Sequence, residues 1–253
     1  MKAVSRAGWI RLALIALLLL SLEAACRGGM VDPVAVIAPS LMVQGAWRLL
    51  ASGEYTDHML LTLSNVAIAC GLSVTIGFAL GWVLYWLPRL RRAADPLLAS
   101  YYAVPTFMFY PLFIVLFGLN RWPLVAIGFV FAFVAMAMNT LQGFERVPWA
   151  LRRTARAMRL STLQELVYVV LPACAPYLFT GLKLAIVYSF IGCIAGEFVL
   201  SGAGFGFDIA FAYNSFDNAT MYGLMVLLLG FVGGLNMVLY SWERRIYLRR
   251  GGR

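Results

Sequence analysis

The sequence predicts an all-α polytopic membrane protein with about six transmembrane helices, and three observations predict it. Of its 253 residues, 62% are hydrophobic and only 12% are charged. A soluble domain carries about 25% charged residues, so the composition argues against a water-soluble enzyme and against disorder, which needs low hydrophobicity. The apolar residues gather into six long runs, at 9–26, 59–87, 97–119, 122–141, 173–200 and 219–241. A helix needs about 20 such residues to cross the hydrocarbon core. Finally, no run shows the strand-like alternation of a membrane barrel.

The first run follows Lys2, Arg6 and Arg11, the layout of a secretory signal, and Ala24-Ala25-Cys26 hints at a lipoprotein cleavage site. Glu23 stands where such a site wants an apolar residue, so the run is expected to remain as the first helix. The second run carries Gly77 and Gly81 on one face, a spacing that lets helix backbones approach closely. Trp82, Tyr85 and Trp86 mark its interfacial end. The third contains Pro105 and Pro111, which should kink it and free backbone groups that protein or a cavity must satisfy. The fourth opens at Trp122.

The longest polar connection follows, 142–172. Its first half, 149–158, is an arginine-rich helix former, and Ser161 can cap a second short helix that begins Thr162-Leu163-Gln164-Glu165. Such a pair can also lie as a basic amphipathic surface on anionic lipid. Pro172 is expected to start the fifth span, where its missing N–H is harmless. Lys183 and Glu197 lie inside that span. Gly202, Gly204 and Gly206 after it suit a tight outer turn or re-entrant segment, not a dinucleotide loop, because no strand precedes them. The sixth span ends at Tyr240 and Trp242.

Basic residues orient these spans. With the N-terminus in the cytoplasm, 16 of the 20 Lys and Arg fall on the cytoplasmic side and 3 on the outer side, with Lys183 inside a span. Such asymmetry marks the cytoplasmic face. It predicts that both termini are cytoplasmic, and it explains the net charge of +9 without nucleic acid.

No catalytic set emerges. The 4 cysteines form no C-x-x-C pair and read as buried free thiols, and His58 is the single histidine, so neither a metal site nor a cofactor site is expected. No phosphate-binding loop of the G-x-x-x-x-G-K-[ST] kind is present, so the chain is not expected to hydrolyse ATP itself. Charged and polar residues inside the spans are functional candidates instead: Lys183, Glu197, Asn65 and Asn139. Lys183 can pair with a carboxylate, face a solute path, or snorkel to the cytoplasm. Glu197 can line a path or act structurally.

An ordered set of short motifs adds a resemblance. The set runs through Leu60-Leu61-Thr62-Leu63, Asp95-Pro96-Leu97-Leu98, Val104-Pro105, Asn139-Thr140, Pro176-Tyr177, Thr180-Gly181-Leu182-Lys183, Gly196-Glu197 and Gly202-Ala203-Gly204-Phe205-Gly206. Over residues 56–250 this resembles the inner-membrane permeases of binding-protein-dependent ABC importers, in the nitrate/sulfonate/taurine branch. The family's cytoplasmic signature, E-A-A-x-x-x-G followed by L-P, aligns with Arg153-Thr154-Ala155-Arg156-Ala157-Met158-Arg159 and Leu171-Pro172. The Glu and Gly positions hold Arg153 and Arg159.

The resemblance implies one transmembrane permease domain over 1–253, forming the path for a small solute such as nitrate, a sulfonate, taurine or a vitamin precursor. It also implies a homodimer in the bacterial inner membrane, moved by a cytosolic ATP-binding subunit and supplied by a periplasmic or lipid-anchored solute-binding protein. The coupling loop would be 143–172, with Arg153, Thr154, Ala155, Arg156, Arg159, Ser161, Leu171 and Pro172 as its contact residues. The family's Gly allows a positive φ. Here the turn is expected to be rebuilt with Arg159 in an ordinary helical conformation, and both arginines are expected to face acidic residues of the ATPase.

Overall fold

The computed structural model describes residues 6–32 and 35–249, and among them every regular element is helical. Lys2, Arg250 and Arg253, counted above with the cytoplasmic charges, lie outside the described residues. In chain order the helices are α1 (Arg6–Arg27), α2 (Pro39–Ser52), α3 (Thr56–Trp86), α4 (Pro88–Ser100), α5 (Tyr110–Phe117), α6 (Trp122–Glu145), α7 (Trp149–Ala157), α8 (Thr162–Glu165), α9 (Leu171–Leu200), α10 (Phe205–Asn214) and α11 (Asn218–Arg249). Five stretches are long and apolar enough to cross a membrane: Trp9–Arg27, Thr56–Trp86, Trp122–Glu145, Thr162–Leu200 and Asn218–Glu243.

Helix α6 is the axis of the bundle, packed along both α3 and α9, and it is the most buried of the five. Lipid tails are as apolar as the side chains, so close packing rather than hydrophobic exclusion must hold such helices together. Small residues provide the approach. A Cβ on Gly128 of α6 would stand 2.6 Å from Cys193 Sγ and 3.0 Å from Ala69 Cβ, so α3, α6 and α9 meet there almost backbone to backbone. Cys174 and Cys193 are buried, as expected, whereas Cys26 and Cys70 are only half-buried; no two of the four form a disulfide.

The third apolar run departs from expectation. Residues 97–119 form no continuous spanning helix: α4 ends at Ser100, single 3₁₀ turns cover Tyr101–Ala103 and Thr106–Phe109, and α5 has only 8 residues. The prolines account for the pattern. A residue before proline is pushed out of the helical region, and Val104, before Pro105, is extended at φ −90°, ψ 120°. Pro111 sits in the first turn of α5, where its missing N–H costs nothing.

The fifth span departs in the other direction, beginning ten residues earlier than Pro172 predicts. α8 runs through a π turn at Leu166–Val170 directly into α9, making one helical run of 39 residues. At 1.5 Å per residue that run is about 58 Å long. The wider π turn carries the backbone to Pro172 in the first turn of α9.

Helix α2 was not apparent as an element in the sequence. It packs on α11, where a Cβ on Gly223 would lie 3.1 Å from the Gly45 carbonyl carbon. Glu23 ties α1 to it: its carboxylate accepts from the Ser40 backbone N–H at 2.9 Å and from Arg27 Nε at 2.6 Å.

Candidate functional site

At one end of the bundle, α7 and α8 form a compact helix–turn–helix. The orphan carbonyls of α7 are closed by a double hydrogen bond, Leu160 N–H to Ala155 O at 3.1 Å and Arg159 N–H to Arg156 O at 3.0 Å. This is a Schellman turn, which requires a left-handed residue immediately after the helix cap. That residue is Arg159, at φ +53°. The expectation of an ordinary helical Arg159 is therefore corrected: satisfying two carbonyls outweighs the steric cost of a side chain in this region. Ser161 then caps α8 through a capping box. Its hydroxyl accepts from Gln164 N–H at 3.3 Å, and Gln164 Oε1 accepts from Ser161 N–H at 2.9 Å.

Because the strain at Arg159 comes from its Cβ, Arg159→Gly should raise stability by about 1 kcal/mol, reduced by the greater freedom glycine gives the unfolded chain. Thermal melting in detergent measures this, and a lower melting temperature would show that the arginine side chain stabilises the turn.

The hairpin is anchored on its inner side. Arg152 donates to Phe144 O at 3.1 Å and lies over the Tyr85 ring at 5.2 Å. Ala155 is buried, while Arg153 stacks outward on Trp149 at 4.4 Å. Thr154, Arg156, Arg159, Ser161 and Pro172 are exposed and Leu171 is half-buried. An open groove of about 470 Å³ runs between α7 and the start of α9, lined by Ala155, Met158, Leu160, Tyr168 and Pro172 among others.

Lys183 meets a carboxylate. Its Nζ lies 2.7 Å from Glu243 Oε2, joining α9 to α11. Removing one partner leaves the other charge poorly solvated. Both remain partly exposed, so Lys183→Met should cost about 1–2 kcal/mol, and Lys183→Met with Glu243→Gln less than the single change. Comparing the two melting temperatures checks the pair; equal losses would show that Lys183 acts alone.

Near the C-terminal end of α9, Glu197 is fully buried. Its Oε2 accepts from the Thr62 hydroxyl at 2.7 Å and from Gly206 N–H at 3.1 Å. Thr62 Oγ1 in turn accepts from Phe205 N–H at 2.8 Å. A carboxylate and a hydroxyl thus satisfy the first N–H groups of α10, where the helix dipole favours negative charge. The glycine turn folds over this carboxyl: Gly204 has φ +109°, and a Cβ there would stand 2.5 Å from Glu197 Cδ. Asn65, fully buried, neighbours the carboxylate, but neither end of its amide makes a hydrogen bond of ordinary geometry.

A few residues further on, Asp208 of α10 receives His58 Nδ1 at 2.7 Å, which pins α10 to the start of α3. Burial pushes the Asp208 carboxyl above the usual carboxylate range, and the His58 hydrogen bond opposes that shift.

The structure thus brings Glu197 and Asn65 together and keeps Lys183 apart, 14 residues or about 21 Å down the same helix. Asn139 stands alone, donating to Ala135 O of its own helix at 2.8 Å. Thr62, His58, Asp208 and Glu243 were not picked out as site residues in the sequence. Each gains its role only through a partner 60 or more residues away.

A bundle of apolar spanning helices, with a short helix held by a buried carboxylate at one end and a basic helical hairpin at the other, defines a membrane transport permease. Comparison with known proteins makes the class specific. Residues 73–250 match the family of binding-protein-dependent transport system inner membrane components, and the chain belongs to that family. It is an ABC importer permease of the nitrate/sulfonate/taurine branch, a multi-pass protein of the inner membrane.

The nitrate import permease protein NrtB of Leptolyngbya laminosa is 31% identical over 208 residues, covering 79% of this chain and 74% of that protein. The bicarbonate transport system permease protein CmpB of Synechococcus elongatus is 32% identical over 189 residues, covering 74% of this chain and 68% of that protein. Among solved structures, a chain of the inward-facing MetNI methionine ABC transporter superposes with a TM-score of 0.63 at 20% identity, covering 81% of this chain and 96% of that one. That likeness concerns the fold alone.

Proposed function

We propose that this permease carries a small anion inward, through a path formed by two copies of the chain and opened by a cytosolic ATP-binding subunit. The anion class follows the names of its relatives, nitrate and bicarbonate permeases, and of the more distant putative aliphatic sulfonates transport permease protein SsuC of Bacillus subtilis, 27% identical. ATP hydrolysis resides in the partner subunit. A periplasmic or lipid-anchored solute-binding protein delivers the anion to the outer face, and both termini of the permease lie in the cytoplasm, with lipid around the bundle.

One observation carries the reading: a single helical run, Thr162–Leu200, begins in the cytoplasmic hairpin and ends where Glu197 grips α10. A continuous helical run of this kind can carry a displacement of the hairpin to the outer segment. On this reading 143–172 docks on the ATPase. Thr154, Arg156, Arg159 and Ser161 make contact, and Ala155 with Leu171 and Pro172 shapes the groove. Arg153, stacked on Trp149, adds positive charge beside it.

Cysteine cross-linking tests the docking. Met158→Cys and Leu163→Cys, at exposed positions on the two arms of the hairpin, should cross-link to the ATP-binding subunit with yields that change on adding ATP. Cross-linking to lipid alone would make the hairpin a membrane-surface anchor. Reporter fusions after Arg92 and Met158 should both report cytoplasmic, and a periplasmic signal after Met158 would overturn the topology.

A further inference from the structure

The broken third run is placed at mid-bilayer depth by its contacts. Tyr101 donates its hydroxyl to Val130 O at 2.6 Å and meets Phe133 edge-on at 5.6 Å. Those residues stand 8 and 11 positions into α6, about 12 and 17 Å from its outer end. Tyr102 lies 5.6 Å from Tyr188, itself 12 positions and about 18 Å from the outer end of α9. Tyr110 then reaches Leu200 O at 3.0 Å, at the outer surface. The chain from 101 to 110 therefore climbs from the midplane to the outer face, leaving the helical state on the way at Val104.

Hydrocarbon does not tolerate irregular backbone. Such backbone persists at membrane depth only when buried in protein or lining a water-filled cavity. Within one copy it is not buried: Tyr102, Ala103, Val104 and Pro105 are all exposed, on a face that a second copy or the path can meet. Thr106 adds an independent observation, a buried hydroxyl in the same segment with no hydrogen-bond partner.

We infer that residues 101–106 form a wall of the solute path at the bilayer midplane, where the phenols of Tyr102 and Tyr188 contact a small solute bearing hydrogen-bond acceptors. The inference rests on the permease reading above and assigns its polar contacts. Neutral donors suit the task. A path must hold its solute weakly enough to release it, and a bare cation at the midplane would trap an anion. The cation nearest along α9, Lys183, is occupied by Glu243.

Thiol accessibility tests the wall. With Cys26 and Cys70, the two thiols not fully buried, replaced by Ala, single cysteines are placed at Ala103, Val104 and, as a lipid-facing control, Leu18 on α1. The assembled transporter in membranes is treated with a charged, membrane-impermeant thiol reagent. Ala103→Cys and Val104→Cys should react about tenfold or more faster than Leu18→Cys, because the reactive thiolate is disfavoured in apolar surroundings. Reaction no faster than the control, or a disulfide between two copies through position 104, would overturn the wall. Tyr102→Phe and Tyr188→Phe keep the rings and should lower anion uptake about two- to tenfold, the range of one lost hydrogen bond, without changing assembly with the ATPase. Unchanged uptake in both would overturn the phenol contacts. Failure of the parent transporter to import any small anion would count against the permease's proposed substrate class, whereas import with unreactive 103 and 104 positions would defeat only the wall.

Discussion

Glu197→Ala should destabilise the permease by about 3 kcal/mol or more and abolish uptake. The substitution strands two buried donors, the Thr62 hydroxyl and the Gly206 N–H. Each unsatisfied buried group costs about 1–3 kcal/mol, and the emptied volume adds to the loss. Glu197→Gln separates shape from charge. Its amide oxygen still accepts from both donors, so stability should stay within about 1 kcal/mol of the parent. A loss as large as that of alanine would instead show that negative charge at the start of α10 is required.

Gly204→Ala supplies the coupled test. At φ +109° and 2.5 Å from Glu197 Cδ, it should cost strain and a clash in the parent but only strain once the carboxyl has gone. The two substitutions should then be less than additive. Melting temperatures of the two single variants and the double give the coupling. Strict additivity, or a Glu197→Ala protein that melts like the parent, would remove Glu197 from the hold on α10.

What the sequence reveals here follows the range of the interactions involved. Uniform apolar runs of 20 or more residues report themselves, so the helical membrane class and the long spans were legible. The local chemistry of the α7–α8 hairpin was legible for the same reason: Ser161 and Gln164 are three residues apart and need no distant partner. The breaks were less so. Hydropathy marks 97–119 as one span because Val104-Pro105 is apolar throughout, although Val104, before Pro105, leaves the helical region. Helix α2, at 14 residues, falls below the length at which hydropathy speaks. Arg159 was read through its side chain, whereas its conformation is dictated by two backbone carbonyls of α7. The Glu197 site needed tertiary structure altogether. Thr62 and Glu197 are 135 residues apart, and no local pattern distinguishes a threonine that caps a distant helix from one that does not.

Gly77→Ala and Gly81→Ala should each destabilise the permease by about 1–3 kcal/mol, the range for forcing atoms into a packed interior, and together they should prevent assembly. The reason lies in what the added carbon meets. At position 77 it would lie 2.5 Å from Phe133 O, and at position 81 it would lie 2.5 Å from Ala137 O. Both obstacles are backbone atoms of α6, which no rotamer change can move, so α3 and α6 must separate along the seam. Separation there also disturbs Phe78, which packs against Phe144 and the anchored start of the hairpin, so the effect should extend to coupling. The same helix contains its own control. A Cβ on Gly71 meets nothing within 4 Å, and there alanine's better helix propensity should leave stability unchanged or raise it by up to about 1 kcal/mol. If Gly71→Ala, Gly77→Ala and Gly81→Ala changed the melting temperature equally, glycine would matter in α3 for backbone flexibility. A loss confined to 77 and 81 would establish instead that α3 is held to α6 by contact between their backbones.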